Sequence, residues 1–185
     1  MKKLGTVLIA AAAALAPLAP LGQVAQAATA PGASAPAASC VVHWGTGAKH
    51  AGGMVRSKVL TVRAGEHRCF DRLVFDLGRG PRAGFRVQYV RHIVGAGSGK
   101  RLHVRGGARL LITISAPAAR RFPAAARNLV NVMGFRAFRQ VRGAGSFEGI
   151  TSVGLGVRTK LPFRVFTVHG PGPGSRLVVD VADHK

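Results

Sequence analysis

The sequence predicts an all-β protein, an antiparallel β-sandwich with at most one short helix. Apolar residues recur at every second position in five short runs, the period expected of strands with one buried and one wetted face. The segments between these runs are rich in glycine, which favours tight turns. Many short strands at this spacing are typical of a sandwich or a barrel.

The five predicted strands are spread through the middle and the second half of the chain. They are residues 73–77, 85–89, 110–114, 153–157 and 177–181. Only residues 117–128 look helical, and Pro123 would limit such a helix to a turn or two. Trp44 and Tyr89, the single tryptophan and tyrosine, are expected to pack against the core.

The N-terminal segment has the pattern of a secretory signal. Residues 1–27 combine two lysines, an apolar run and the small-x-small sequence Ala25-Gln26-Ala27, after which signal peptidase cuts. A retained membrane anchor is the alternative. Residues 28–39 are an Ala/Pro/Ser-rich stretch that predicts a disordered tether, and residues 40–185 have the length of one domain. We therefore expect a secreted, extracytoplasmic protein.

Two cysteines, Cys40 and Cys69, are the only ones in the sequence. In an exported chain they predict a disulfide, which the chain-entropy account values at about 3–4 kcal/mol. Zinc is the alternative, because His43 and His67 would complete a set of two thiolates and two imidazoles. The spacing of His67 and Cys69 is shorter than zinc pairs usually have, so a disulfide is favoured and no metal is predicted.

The strong positive charge is the most informative feature for function. The chain holds 27 basic residues against six acidic ones, a formal charge of +21, which describes partners rather than fold. Arginine binds phosphate or carboxylate through two parallel hydrogen bonds. The alternative for any single arginine is a merely solvated position. The residues predicted to bind anions are Arg86, Arg91, Lys100, Arg101, Arg105, Arg136, Arg139 and Arg142.

One sequence pattern occurs twice. Arg72 and Asp76 are four residues apart on one predicted strand, and Arg176 and Asp180 are four apart on another. Side chains at this spacing share a strand face, so we expect each aspartate to pair with the arginine of its own strand. The two strands would occupy equivalent places in two sheets or lie side by side.

Catalysis has few candidates in this sequence. Asp76, Asp180 and Glu148 could serve a wall-active enzyme as carboxylates. No grouping typical of nucleophilic or metal catalysis occurs. The glycine-rich residues 95–100 do not form a phosphate loop, because Val94 stands where the first glycine belongs and Arg101 replaces the serine or threonine that would follow the lysine. The sequence therefore predicts a protein that is not an enzyme and needs no cofactor.

Several further motifs belong together: residues 67–77 and 175–181, Cys40 with Trp44 and Gly45, and residues 135–141, 145–149, 154–158 and 161–166. At these motifs the chain resembles the AMIN-like domain family of exported proteins in high-GC Gram-positive bacteria. It implies a β-sandwich distantly related to the AMIN module, which localises proteins to peptidoglycan without catalysis. The positions that carry the family pattern are Trp44, Asp71, Arg72, Asp76, Glu148, Arg176 and Asp180.

Charge and resemblance together predict an exported, non-catalytic binding domain of the cell envelope. Its expected partner is peptidoglycan or an anionic wall polymer, bound through the basic surface. A wall-active enzyme and an extracellular nucleic-acid-binding protein are the alternatives. The second is disfavoured because the aromatic residues mostly occupy core-facing positions, where they offer no stacking platform.

Overall fold

The computed structural model describes residues 40–54, 57–170 and 172–184. The predicted signal segment and tether lie outside the described residues. The described chain forms eleven strands and no helix, and so contains no helix that could cross a membrane. The strands are β1 (Lys49–Ala51), β2 (Val59–His67), β3 (Phe70–Leu77), β4 (Phe85–Tyr89), β5 (Ile93–Val94), β6 (Arg101–Leu102), β7 (Ala108–Ile114), β8 (Phe138–Phe147), β9 (Ile150–Val157), β10 (Phe163–His169) and β11 (Ser175–Ala182).

The strands form two main sheets and one small hairpin. A five-stranded sheet has the order β1-β4-β7-β9-β8, a four-stranded sheet has the order β10-β11-β3-β2, and β5 pairs with β6. Every pairing between these strands is antiparallel. The inner faces of the two main sheets share one hydrophobic core. The predicted all-β sandwich is confirmed.

Each of the five predicted strands lies within a strand of the structure, namely β3, β4, β7, β9 and β11. In β3, Leu73 and Phe75 face the core and are fully buried. Arg72 and Asp76, which flank them on the opposite face, have partly exposed side chains, although Val74 on that face is also buried. The fold therefore follows from the hydrophobic pattern wherever that pattern is regular.

The short helix predicted in residues 117–128 is wrong. This segment instead runs beside β8, the edge strand of the five-stranded sheet. Gly143 donates its backbone N–H to the carbonyl of Ala126 at 2.9 Å, and Gly145 donates to Ala124 at 2.8 Å. Carbonyls that a helix would use internally thus pair with the sheet edge, which would otherwise expose unpaired backbone groups.

The outer face of the five-stranded sheet is covered by the β5–β6 hairpin. Ile93 and Val104 are fully buried there, against Ala144 of β8. The glycines of β9 make room for them: a Cβ atom on Gly154 would lie 2.9 Å from the Ile93 side chain, and one on Gly156 would lie 1.8 Å from the Arg105 carbonyl oxygen. The hairpin is therefore seated on a strand that lacks side chains at the contact.

Cys40 and Cys69 form the predicted disulfide. The bond joins residues 29 apart in sequence and ties the start of the described chain to the β2–β3 turn. Both sulfur atoms are engaged with each other, so neither is available as a thiolate ligand for zinc.

Candidate functional site

The two copies of the repeated pattern lie side by side as neighbouring strands, β3 and β11. In their register Arg72 stands opposite Asp180, and Arg176 stands opposite Asp76. Arg72 donates to both carboxylate oxygens of Asp180, at 2.7 and 2.8 Å, and this hydrogen bonding raises the pKa of Arg72. Arg176 donates to Asp76 at 3.2 Å.

The prediction that each aspartate pairs with the arginine of its own strand is thus wrong. Residues directly opposite across a strand pair have Cβ atoms about 5 Å apart, whereas residues four apart on one strand are separated by about 13 Å. The neighbouring strands add further donors, because Arg164 reaches Asp180 at 2.8 Å and Arg63 reaches Asp76 at 3.1 Å.

Aromatic rings lie among these arginines on the outer face of the four-stranded sheet. The guanidinium of Arg164 is 4.4 Å from the ring centre of Trp44, and Trp44 packs edge-on against Phe70 with 5.5 Å between ring centres. The expectation that Trp44 packs against the core is therefore corrected. Tyr89 does pack against the core, and its hydroxyl donates to the carbonyl of Leu161 at 2.7 Å.

Asp71 connects the two sheets. Its side chain is buried, and one oxygen accepts the backbone N–H groups of Ala137 and Phe138 at 2.7 and 2.9 Å. Asp71 belongs to the four-stranded sheet and Phe138 begins β8 of the five-stranded sheet. Burial raises the pKa of the Asp71 carboxyl, and the two backbone hydrogen bonds only partly offset this effect.

The three carboxylates considered for catalysis do not converge. Asp76 and Asp180 are offset by four residues in the β3–β11 register, or about 13 Å, whereas the paired carboxylates of glycosidases are about 5–9.5 Å apart. Glu148 lies in the two-residue turn between β8 and β9, with a φ of 48°. The positive φ of Glu148 and Gly149 fits the turn type that joins antiparallel strands most tightly.

Charge divides sharply between the two sheets. The strands of the four-stranded sheet hold four arginines and four acids, so their formal charge is zero. The other seven described strands hold six basic residues and no acid. We call the five-stranded sheet with its β5–β6 hairpin the basic side. Its strand residues are Lys49, Arg86, Arg101, Arg109, Arg139 and Arg142.

Four of the residues predicted to bind anions line two openings of the structure. Arg91 and Arg101 line a cleft of about 500 Å³ at the β5–β6 hairpin. Arg105 and Arg139 line a groove of about 820 Å³ beside β8. Lys100 is exposed just before β6.

Three of the other predicted residues are held by neighbours. Arg86 donates to the side chain of Gln88 at 3.0 Å, and Arg142 donates to the His103 carbonyl at 2.9 Å. Arg136 bonds the Arg68 carbonyl at 2.8 Å and pairs with Asp183 at 3.2 Å. These three arginines therefore already have hydrogen-bond partners within the protein, and anion binding by them stays a prediction.

The hairpin cleft contains three residues that sequence reasoning missed: His92, His103 and Arg109. The pKa of His92 is lowered by loss of hydration and by the positive charges of Arg101, Arg91 and Arg109. The sequence did indicate the orientation of Arg109, since this residue precedes Leu110 in an alternating strand and so faces away from the core. Nothing in the sequence indicated that His92 and His103 lie together, because only the folded hairpin brings them into one cleft.

Comparison with known protein families gives a match over most of the described chain. The family model of the AMIN-like domain matches residues 57–183. Domains of this family are generally non-catalytic, occur in extracytoplasmic proteins and are associated with peptidoglycan. No curated protein and no solved structure matches the chain. Because the match spans well over half of the 185 residues, the chain belongs to the AMIN-like domain family.

Proposed function

We propose that this protein is an exported, non-catalytic binding domain that adsorbs to peptidoglycan or another anionic polymer of the cell wall through its basic side. The division of charge between the two sheets carries the proposal. Arginines of the four-stranded sheet are matched by carboxylates, whereas those of the basic side have no acid within their own strands. An excess of one charge on one face attracts polymers of the opposite charge.

The sandwich supports this role by holding the basic side rigid. The five-stranded sheet contributes Val87, Ile112 and Leu155 to the core, all fully buried, and the segment beside β8 completes its edge. With the backbone already fixed in this way, ligand binding does not have to order it. The proposal therefore needs no change of fold on binding.

The decisive experiment measures sedimentation of the full chain with purified cell wall over a series of NaCl concentrations. We expect strong retention at low salt and a steep decline as salt rises, because exposed charges separated by more than the Debye length of about 8–10 Å are screened near physiological ionic strength. Duplex DNA at equal ionic strength tests the nucleic-acid alternative. Retention on cell wall that does not change with NaCl concentration would contradict the proposal, as would tighter binding to DNA than to cell wall.

A matched pair of charge variants locates the surface. Arg86, Lys100 and Arg105 are exposed residues of the basic side, and replacing all three by glutamine should weaken wall binding and flatten its salt dependence. The control replaces Arg63, Arg68 and Arg79, three exposed arginines on or beside the four-stranded sheet, by glutamine. Equal losses from the two triple variants would show that total charge matters and the basic side does not.

A further inference from the structure

The cleft at the β5–β6 hairpin brings five cationic or titratable side chains to one place. Arg91 and His92 precede β5, Arg101 and His103 lie on and after β6, and Arg109 lies on β7. We propose that this cleft is a phosphate-binding site, which rests on the proposed function and gives the polymer a recognised group. The shared chemistry is a phosphate oxygen cluster, carried by a phosphodiester in a wall polymer or by free phosphate.

The cleft is built on fixed backbone. Ile93 and Val104, each next to one of the cleft histidines, are fully buried against the five-stranded sheet. Arg142 donates to the carbonyl of His103 at 2.9 Å, and the N–H of Val90 donates to the carbonyl of Arg109 at 2.9 Å. These contacts join the segments that carry the cleft residues, so the site exists before any ligand binds.

Arg109 is the preorganised centre of the cleft. Its side chain is half-buried, with Nε donating to the carbonyl of Val104 at 3.2 Å and one Nη donating to that of Gly106 at 3.4 Å. Among the described residues, the remaining N–H groups of this guanidinium have no hydrogen-bond partner. A guanidinium fixed in this way presents parallel donors that match two oxygens of a phosphate.

The cleft lacks the carboxylates that would neutralise it. No acid lines it, and Arg91, Arg101 and Arg109 form no ion pair within the described part of the chain. A tetrahedral phosphate offers oxygens in several directions to the three guanidiniums around this opening, whereas the two oxygens of a carboxylate lie in one plane. The arrangement therefore favours phosphate over carboxylate.

His92 gives this site a pH dependence. Loss of hydration, followed by the positive charges of Arg101, Arg91 and Arg109 that face it, lowers the pKa of His92, and His103 also lines the cleft. A bound phosphate would offset these positive charges and favour the protonated imidazole. Dimethyl phosphate, whose single negative charge does not change over the range in which histidine titrates, should therefore bind more tightly as the pH falls and should raise the pKa of His92.

The test is a titration of the isotopically labelled full chain, followed by nuclear magnetic resonance. The probes are inorganic phosphate, dimethyl phosphate as the diester, and acetate as a carboxylate of single charge. We expect both phosphates to shift the His92 and Arg109 signals at concentrations where acetate does not. Preference between the two phosphates separates a polymer diester from free phosphate, and equal response to acetate overturns the proposal.

Two variants with the same change in charge complete the design. Replacing Arg91 and Arg101 by glutamine should weaken dimethyl phosphate binding by about tenfold or more, because the variant loses charge-assisted hydrogen bonds to the phosphate oxygens. The control replaces Arg120 and Arg121 by glutamine; these two exposed residues are adjacent in sequence and do not line the cleft. Equal weakening would overturn the proposal.

The two proposals fail in different ways. If wild-type protein binds cell wall but phosphate leaves the cleft signals unchanged, the phosphate site is wrong and wall binding stands. If phosphate binds in the cleft but wild-type protein does not bind cell wall, the proposed function is wrong. The cleft result is read from inorganic phosphate and dimethyl phosphate alone.

Discussion

The two sheets of this domain use arginine in opposite ways. On the four-stranded sheet, Arg72 and Arg164 converge on the buried carboxylate of Asp180, so their charges are satisfied within the fold. On the five-stranded sheet, Arg101 and Arg109 have no acid in their own or any adjoining strand. Arginine thus stabilises the four-stranded sheet through ion pairs, whereas the arginines of the five-stranded sheet remain available to a ligand.

The outer faces of the sheets also differ in how they are covered. β9 of the five-stranded sheet has glycines at positions 154 and 156, on which the β5–β6 hairpin lies. On the outer face of the four-stranded sheet, Arg164 stacks on the indole of Trp44. The five-stranded sheet thus carries a cleft formed with the β5–β6 hairpin, whereas the outer face of the four-stranded sheet carries ion pairs.

The largest expected effect comes from removing the acid at the centre of the arginine ladder. Asp180→Ala leaves Arg72 and Arg164 without their shared carboxylate, and we expect a loss of about 3 kcal/mol in the free energy of unfolding. Asp76→Ala should cost only about 1 kcal/mol, because Asp76 is partly exposed and its hydrogen bonds from arginine are longer. Urea unfolding measures both, and equal costs would contradict the difference drawn between the two aspartates.

A methyl group under the hairpin tests the cover on the basic side. Gly156→Ala places a Cβ against the Arg105 carbonyl, and this overpacking should cost about 2 kcal/mol. Gly65 is the matched control, a strand glycine on the four-stranded sheet with no atom within 4 Å of the position that an added Cβ would take. Gly65→Ala should be neutral or stabilising by about 0.5 kcal/mol; urea unfolding that ranks the two variants the other way would refute the packing account.

Arginine geometry on the four-stranded sheet predicts a smaller effect. Arg164→Lys keeps the charge but loses the flat guanidinium that stacks on Trp44 and bonds Asp180. We expect a loss of about 1 kcal/mol in unfolding free energy and a change in tryptophan fluorescence. Arg86→Lys, on the basic side and away from any aromatic contact in the described structure, should change neither quantity.

The smallest effect concerns the carboxyl that joins the sheets. Folding raises the pKa of Asp71 above its ordinary value of 3.8, so the folded state binds more protons in the interval between the two values. The contribution of Asp71 to stability is therefore greatest below pH 3.8 and falls as the pH rises through the folded pKa. The unfolding free energy of wild type relative to Asp71→Asn should fall across this interval.

Asp183 supplies the opposite control. Burial raises the pKa of its carboxyl, but hydrogen bonds from His184 and Arg136 outweigh burial and lower it below 3.8. Its contribution is present above the ordinary value and is lost as the pH falls through the folded pKa. The free energy of wild type relative to Asp183→Asn should therefore rise with pH; two slopes of the same sign would contradict the assignment.

The fold could be predicted where every second residue is apolar. β3 and β11 are visible because apolar, buried residues recur at every second position, although Val74 and Val178 between them are buried too. β2 and β8 are harder to detect, because a register shift between Val59 and Thr61 breaks the first and shifts near Arg139 and Ala144 break the second. Irregular strands carry the same hydrogen bonds without the same period.

The site depends on strand order, which a single sequence does not specify. Arg72 and Asp180 are 108 residues apart, and only the antiparallel pairing of β3 with β11 brings them together. His92, His103 and Arg109 likewise meet through the hairpin. The sequence shows the excess of arginine, but it does not show which arginines the aspartates neutralise.

The pairing of β3 with β11 also sets the order in which the molecule can assemble. β11 is the last of the described strands in chain order, yet it is an internal strand of its sheet, between β3 and β10. Leu73 and Phe75 therefore lack their final neighbours until residues 175–182 join the sheet. Since contacts this distant in sequence slow folding, we expect insertion of β11 between β3 and β10 to be a late step of folding.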